Sequence, residues 1–108
     1  MLLPSLLGNE SIKRAFSGPD GPDSACIILS GPRGSGKRTA AFDIAMGLLC
    51  TRSPAPCGRC GACIRMKAGS HPDYELFNAE GGEIKVDAVR ALRARSFIRP
   101  SEAARKVF

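Results

Sequence analysis

Ala25-Cys26-Ile27-Ile28-Leu29-Ser30-Gly31-Pro32-Arg33-Gly34-Ser35-Gly36-Lys37 is the stretch whose reading decides the fold. Ala25 to Leu29 is short, wholly apolar and partly β-branched, the pattern of a strand buried on both faces of a parallel sheet. Gly31 to Lys37 then matches the first seven positions of the phosphate-binding loop G-x-x-x-x-G-K. Glycines there let successive backbone N–H groups turn inward and cradle phosphate oxygens. The next segment, Lys37 to Leu49, places Ala41, Ile44, Ala45, Leu48 and Leu49 on one face at helical spacing. Such a helix aims its positive N-terminal end at the same phosphates, and Lys37 would reach the β and γ groups. A strand before the loop and a helix after it are the context the motif requires. The candidate nucleotide-binding set is Gly31, Pro32, Arg33, Gly34, Ser35, Gly36, Lys37, Arg38 and Thr39.

The eighth position departs from the pattern. Ser or Thr belongs there, with its hydroxyl on Mg²⁺, and this chain has Arg38. Thr39 sits one residue on, about 100° further round the helix, and points elsewhere. Arg38 puts positive charge where a dication should bind. The loop therefore either binds nucleotide without productive magnesium or serves only to join strand to helix. No apolar strand ending in an acidic pair occurs in the chain, so a second magnesium site is missing as well. Hydrolysis of ATP by these residues alone is not expected.

Around this centre the chain alternates between strand-like and helical patterns. Ile12, Ala15 and Phe16 share a helical face, with Asn9 or Ser11 as its N-cap, and Ser17 to Ser24 is a Gly/Pro loop. A short helix is expected from about Gly61 to Lys67. His71-Pro72-Asp73 forms a turn, and Tyr74 to Phe77 a strand. Asp87 can cap a helix from Ala88 to Phe97, with Val89, Leu92 and Phe97 or Ile98 pointing inward and Pro100 marking its end. Lys106-Val107-Phe108 starts another strand. This order predicts an α/β fold with parallel pairing.

Four cysteines, Cys50, Cys57, Cys60 and Cys63, read C-x6-C-x2-C-x2-C. A C-x2-C turn brings two sulfurs to one ion, and zinc takes four thiolates in a tetrahedron. Two such turns overlap at Cys60, with Gly58 and Gly61 supplying turn backbone, and Pro54 and Pro56 stiffening the return from Cys50. Four thiolates close the coordination shell, which predicts a structural Zn²⁺ site with no open position. Arg59 and Arg65 would offset its negative charge. An iron–sulfur cluster also uses four cysteines, but in other spacings, and a redox C-x-x-C pair leaves two cysteines unexplained. His71 could replace one ligand, although its turn context gives it another role. Cys26 reads as a small apolar strand residue.

A chain of 108 residues holds one small domain with a modest core. An odd count of five cysteines speaks against a disulfide framework. No apolar run approaches the roughly 20 residues of a membrane span. Met1 to Leu7 is apolar, but it is short and lacks the basic start of a signal peptide, so a cytoplasmic protein without membrane contact is expected. The net charge of +6 permits nucleic-acid contact. The basic residues are spread out, however, with local groups at Arg59, Arg65 and Lys67 and at Arg90, Arg93, Arg95 and Arg99. At 6% aromatic residues the chain offers no base-stacking platform.

A phosphate loop, one helix and then a four-cysteine module together resemble the clamp-loader subunits of bacterial DNA polymerase III, the delta-prime and gamma/tau families. Leu7-Gly8-Asn9-Glu10 looks like the box near the adenine site. Pro56-Cys57-Gly58-Arg59-Cys60-Gly61-Ala62-Cys63 matches the zinc module, and His71-Pro72-Asp73 the turn after it. Ile84 to Leu92 matches the next helix, and Ala104 to Phe108 looks like the entry to the Walker B strand. The resemblance implies a three-layer P-loop NTPase (AAA+) parallel sheet. Residues 1–108 would form its N-terminal part, truncated before the Walker B strand, with the zinc module inserted at residues 50–66. It also implies a hetero-oligomer with gamma/tau and delta subunits that loads the sliding clamp onto primed DNA. Arg38 favours delta-prime, which acts mainly as a stator, over ATP-hydrolysing gamma/tau. ATP with Mg²⁺ as a cofactor is accordingly in doubt. A reading of another class is a stand-alone zinc module that binds nucleic acid through Arg59, Arg65 and Lys67.

Overall fold

The computed structural model describes residues 26–52, 55–77, 81–103 and 105–108. The expected N-terminal helix and the adjoining Gly/Pro loop lie outside the described residues.

Helix α1 runs Lys37–Leu49, the bounds its apolar face and flanking residues predict. Gly36 is its N-cap, in the left-handed region at φ 89°, where a side chain would be strained. Cys50 ends the helix in an extended conformation, with its N–H donating to the Met46 carbonyl. Ala40, Ile44, Ala45, Met46 and Leu49 are buried along its length.

Helix α2, Gly61–Ala68, begins at Cys60, whose sulfur accepts the Cys63 N–H. It stops at Gly69 in the left-handed region (φ 73°), with the Ser70 N–H bonding the Arg65 carbonyl at 2.9 Å. That glycine cap is the usual device for closing the last turn. α2 packs on α1 through one cluster: Ala45, Met46 and Leu49 from α1 meet Cys60, Ala62, Cys63 and Met66. Phe42, Tyr74, Ala103 and Val107 pack on its margin, with the Phe42 and Tyr74 rings edge-on at 6.2 Å.

Strand pairing is sparse among the described residues. Tyr74 and Val107 form a parallel bridge, the Val107 N–H donating to Asp73 O (2.8 Å) and the Glu75 N–H to Val107 O (3.0 Å). The two expected strands at 74–77 and 106–108 thus meet side by side in the parallel sense. The expected strand through Ile27 and Leu29 is extended and leans on Ala40 and Ile44 of α1, but it has no ladder partner among the described residues. Cys26 is exposed rather than buried, and Ile28 is 86% exposed. A cavity of about 600 Å³ lies between Cys26, Ile27 and Leu29 on one side and residues 105–108 on the other. A full parallel sheet is therefore not seen among the described residues; they show one parallel bridge and a separate extended segment against α1.

Helix α3 spans Val86–Ser96, two residues earlier than the capping pattern predicts. Lys85 is the N-cap and no side chain caps it, so Asp87 sits inside the first turn, where its charge suits the positive helix end. No residue of α3 is buried. Val89, expected to point inward with either Phe97 or Ile98, is 55% exposed, and those two are 78% and 62% exposed. Leu92, also expected to point inward, is half-buried and borders the cavity beside Leu29 and Val107. The end of α3 is held by an Arg95–Glu75 ion pair and by Lys106 Nζ donating to the Arg95 carbonyl.

Met66, 2% exposed, is one of two methionines buried in the α1–α2 interface. Met66→Ala should destabilise the protein by about 2–5 kcal/mol, as core truncations do. Ile64→Ala, on the exposed side of the same helix, should change stability by less than about 0.5 kcal/mol. Urea midpoints of the two variants compare them, and equal shifts would mean that the core does not lie between these helices.

Candidate metal centre and phosphate loop

The end of α1 and the start of α2 bring the four cysteines together. Cys50 is the C-cap of α1, Cys60 the N-cap of α2, and Cys63 lies in its first turn. Cys57 comes from the connecting loop, where Gly58 takes a φ of 76°. The four Sγ atoms lie within 4.8 Å of one another. Cys50 and Cys60 sulfurs are 3.8 Å apart and those of Cys57 and Cys63 3.9 Å. A tetrahedron of sulfurs at a zinc–sulfur distance of 2.3 Å has edges of about 3.8 Å. A disulfide would need about 2.05 Å, and all four cysteines are free. The residues present therefore fit a four-thiolate metal site.

The backbone around the sulfurs is arranged for negative charge. N–H groups of Arg52 and Cys57 point at Cys50 Sγ (3.4 and 3.3 Å), and those of Arg59 and Cys60 at Cys57 Sγ (3.4 and 3.2 Å). The Cys63 N–H points at Cys60 Sγ (3.4 Å). The Arg59 N–H, with that of Cys60, holds the Cys57 thiol below its ordinary range. Burial works against a Cys60 thiolate, yet hydrogen bonds from Thr51 and Cys63 outweigh it and bring Cys60 to about 5. Cys63 goes the other way: burial, reinforced by the neighbouring Cys60 and Cys50 sulfurs, pushes it up to about 12. Four sulfurs this close cannot all ionise without a cation among them.

Two of the three basic side chains expected to serve the module are engaged elsewhere. Arg65 Nε and Nη2 both contact Glu102 Oε1 at 2.6 Å, and Lys67 Nζ donates to the Gly58 carbonyl at 3.3 Å. His71 is not among the sulfurs. Its Nδ1 accepts the Asp73 N–H at 3.0 Å, which commits the ring to the turn.

The phosphate loop sits at the opposite end of α1. Gly31, Pro32, Ser35, Gly36 and Lys37 line a small cleft of about 150 Å³ that also touches Leu29, Ser30 and Ala40. Lys37 Nζ folds back onto the Gly31 carbonyl (2.5 Å) and lies 3.4 Å from that of Pro32. A Cβ at Gly31 would meet Ser35 Oγ at 3.0 Å, so a side chain there would have to displace the Ser35 hydroxyl. Arg33, Gly34, Arg38 and Thr39 border a separate, wider depression with Gly36 and Lys37. The nine candidate residues thus divide between two faces of the loop, with the Arg38 and Thr39 side chains on the outer one.

Sequence reasoning gives Asp73 only a turn. The structure makes its carboxylate, 2% exposed, the acceptor of three backbone N–H groups: Ser101 (2.5 Å), Glu102 (2.9 Å) and Ala103 (2.7 Å). Burial opposes its charge, but the Glu102, Ser101 and Ala103 N–H groups prevail and lower its pKa. The stabilisation this gives is present above the ordinary carboxylate range and is lost as pH falls below it. No local signal marks such a role, because the donors lie about thirty residues away.

A family model described as "DNA polymerase III, delta subunit" matches residues 19–108. DNA polymerase III subunit delta' of Pseudomonas aeruginosa is 48% identical over 69 residues, covering 60% of this chain and 21% of that protein. The Bacillus subtilis subunit delta' is 35% identical over 71 residues, 65% of this chain and 22% of that protein. Subunit gamma/tau of Mycobacterium tuberculosis is 38% identical over 86 residues, 75% of this chain and 14% of that protein. The chain spans about a fifth or less of the length of these curated relatives. No solved structure matches.

Metal binding must remove the proton from Cys63, so affinity should fall as pH falls, by about tenfold per pH unit for each thiol still protonated. Competition against a chromophoric chelator at pH 6, 7 and 8 reads this slope. Elemental analysis should find one zinc per chain, and Cys63→Ser should lose most of it. Unchanged metal content in that variant would remove Cys63 from the ligand set.

Proposed function

This chain belongs to the DNA polymerase III delta-subunit family, and from that membership we propose that it is part of a delta-prime-like clamp-loader subunit. In this reading the full protein assembles with gamma/tau and delta subunits in the cytoplasm. The hetero-oligomer places the sliding clamp on primed DNA. Residues 26–108 supply the front of an AAA+ sheet: strand, phosphate loop, α1, the zinc module, and the paired segments at Tyr74 and Val107. The four thiolates hold a structural Zn²⁺, with every coordination position taken by protein.

The observation that carries delta-prime over gamma/tau is Arg38 at the eighth loop position. Phosphoryl transfer needs magnesium bridging the β and γ oxygens. A guanidinium in place of the metal-holding hydroxyl supplies charge but no ligand atom. Lys37 also spends its ammonium on the loop's own carbonyls, with which a phosphate would have to compete. The subunit is thus a scaffold in the loader rather than a motor.

The reading as a free nucleic-acid-binding zinc module has less support. It calls on Arg59, Arg65 and Lys67, but Arg65 is paired with Glu102 and Lys67 caps the Gly58 turn.

Calorimetric titration of ATP into the full-length protein, with and without Mg²⁺, tests the proposal. Magnesium should not tighten binding, and no phosphate should be released over hours. Arg38→Thr should restore a magnesium effect on affinity without bringing turnover. Magnesium-dependent hydrolysis by the unaltered protein would assign it to the gamma/tau type instead.

A further inference from the structure

The metal module and the start of the sheet are joined by side chains that neither the phosphate loop nor the metal centre uses. Asp73 follows the module by ten residues from Cys63, and its carboxylate gathers the N–H groups of Ser101, Glu102 and Ala103. Its own carbonyl accepts from Val107, the bridge residue. Arg65, two residues past the ligand Cys63 on α2, grips Glu102 of that same segment. Buried His71 sets its Nε2 3.4 Å from Glu102 Oε1, while its Nδ1 fixes the Asp73 backbone. Ala103 and Val107 pack against the cluster that contains Cys60 and Cys63.

We propose that Asp73, His71, Arg65 and Glu102 form a latch through which metal occupancy of the cysteine centre governs pairing of residues 101–108 with residues 73–75. The physical case is one of loop closure. Contacts spanning about thirty residues must overcome the entropy of bringing their ends together. The segment from Ser101 to Val107 has one bridge and a handful of apolar neighbours to do so. Apart from Lys106, whose Nζ donates to the Arg95 carbonyl of α3, its other described side-chain anchors sit on α2 or on the turn directly after it. That helix begins at Cys60 and holds two of the four sulfurs, so its position is set by the ion. Releasing the ion removes the bonds that tie Cys60 and Cys63 to the rest of the centre, frees α2 to move, and takes Arg65 and the turn with it. Asp73 is a positioning residue here: it holds backbone, and nothing in the latch touches a reacting group.

The proposal rests on the metal reading of the centre, which elemental analysis of the purified full-length protein decides separately. Hydrogen exchange followed by mass spectrometry, on the zinc-loaded protein and after chelation, tests the coupling. Amides of peptides covering 73–76 and 99–108 should exchange at least about tenfold faster without metal, the signature of local opening. Asp73→Asn removes one acceptor oxygen. It should keep its zinc, expose 101–108 in the loaded state, and leave that segment largely insensitive to chelation. Should that variant not fold, Glu102→Gln, which weakens only the Arg65 and His71 contacts, should show the same trend to a smaller degree. Equal exchange of 99–108 with and without metal in the unaltered protein would overturn the latch. So would an Asp73→Asn or Glu102→Gln protein in which metal still protects that segment to the full extent.

Discussion

Four sulfur atoms, all within 4.8 Å of one another, are the constraint on which the rest of this structure leans. They join the last residue of α1 to the first turn of α2 across a loop that has little apolar content of its own. The cluster beneath them is made of alanine, methionine, leucine and cysteine, side chains whose burial alone gives a small core. Small cores of this kind rely on a staple, and a thiolate-bound ion is the one these residues suit. Backbone N–H groups aimed at Cys50, Cys57 and Cys60 lower the cost of holding charge there. The raised Cys63 shows that a full set of thiolates still requires a cation.

The same helix carries the phosphate loop at its other end. Thirteen residues of α1 separate Gly36 from Cys50, a rod of about 20 Å at 1.5 Å per residue. The two sites cannot share a ligand across that distance. They can share a frame: Ala40 and Ile44 support the strand segment that feeds the loop, while Ala45, Met46 and Leu49 seat the metal module. A rigid α1 therefore sets the loop's position relative to the module, and the module relative to the bridge at Tyr74 and Val107.

How much of this was legible in the sequence depended on how local the cause was. α1 could be bounded to the residue because both ends are marked, by Gly36 on one side and Cys50 on the other. The cysteine cluster was legible because C-x2-C turns act over three residues. Strand pairing was not, since Ile27 to Leu29 reveal their apolarity but not which segment lies beside them. Reading Val89 and one of Phe97 or Ile98 as inward-facing assumed a sheet over α3 that the described residues do not form. Asp73 was opaque for a different reason. A carboxylate in a turn looks the same in sequence whether it faces water or gathers three amides from another part of the chain.

Charge decides what the phosphate loop can still do. The outer face of the loop carries Arg33 and Arg38, both exposed, beside the positive end of an uncapped helix. Lys37, which should meet phosphate, satisfies itself on the Gly31 carbonyl. An arriving triphosphate would meet a guanidinium, not a hydroxyl, at the eighth position of the loop. Attraction and catalysis part company at this point. Positive charge strengthens binding of any polyanion to the loop, in ground state and transition state alike. Only a ligand atom that fixes magnesium could favour the transition state over the ground state. Arg38 supplies charge at that position but no such ligand atom.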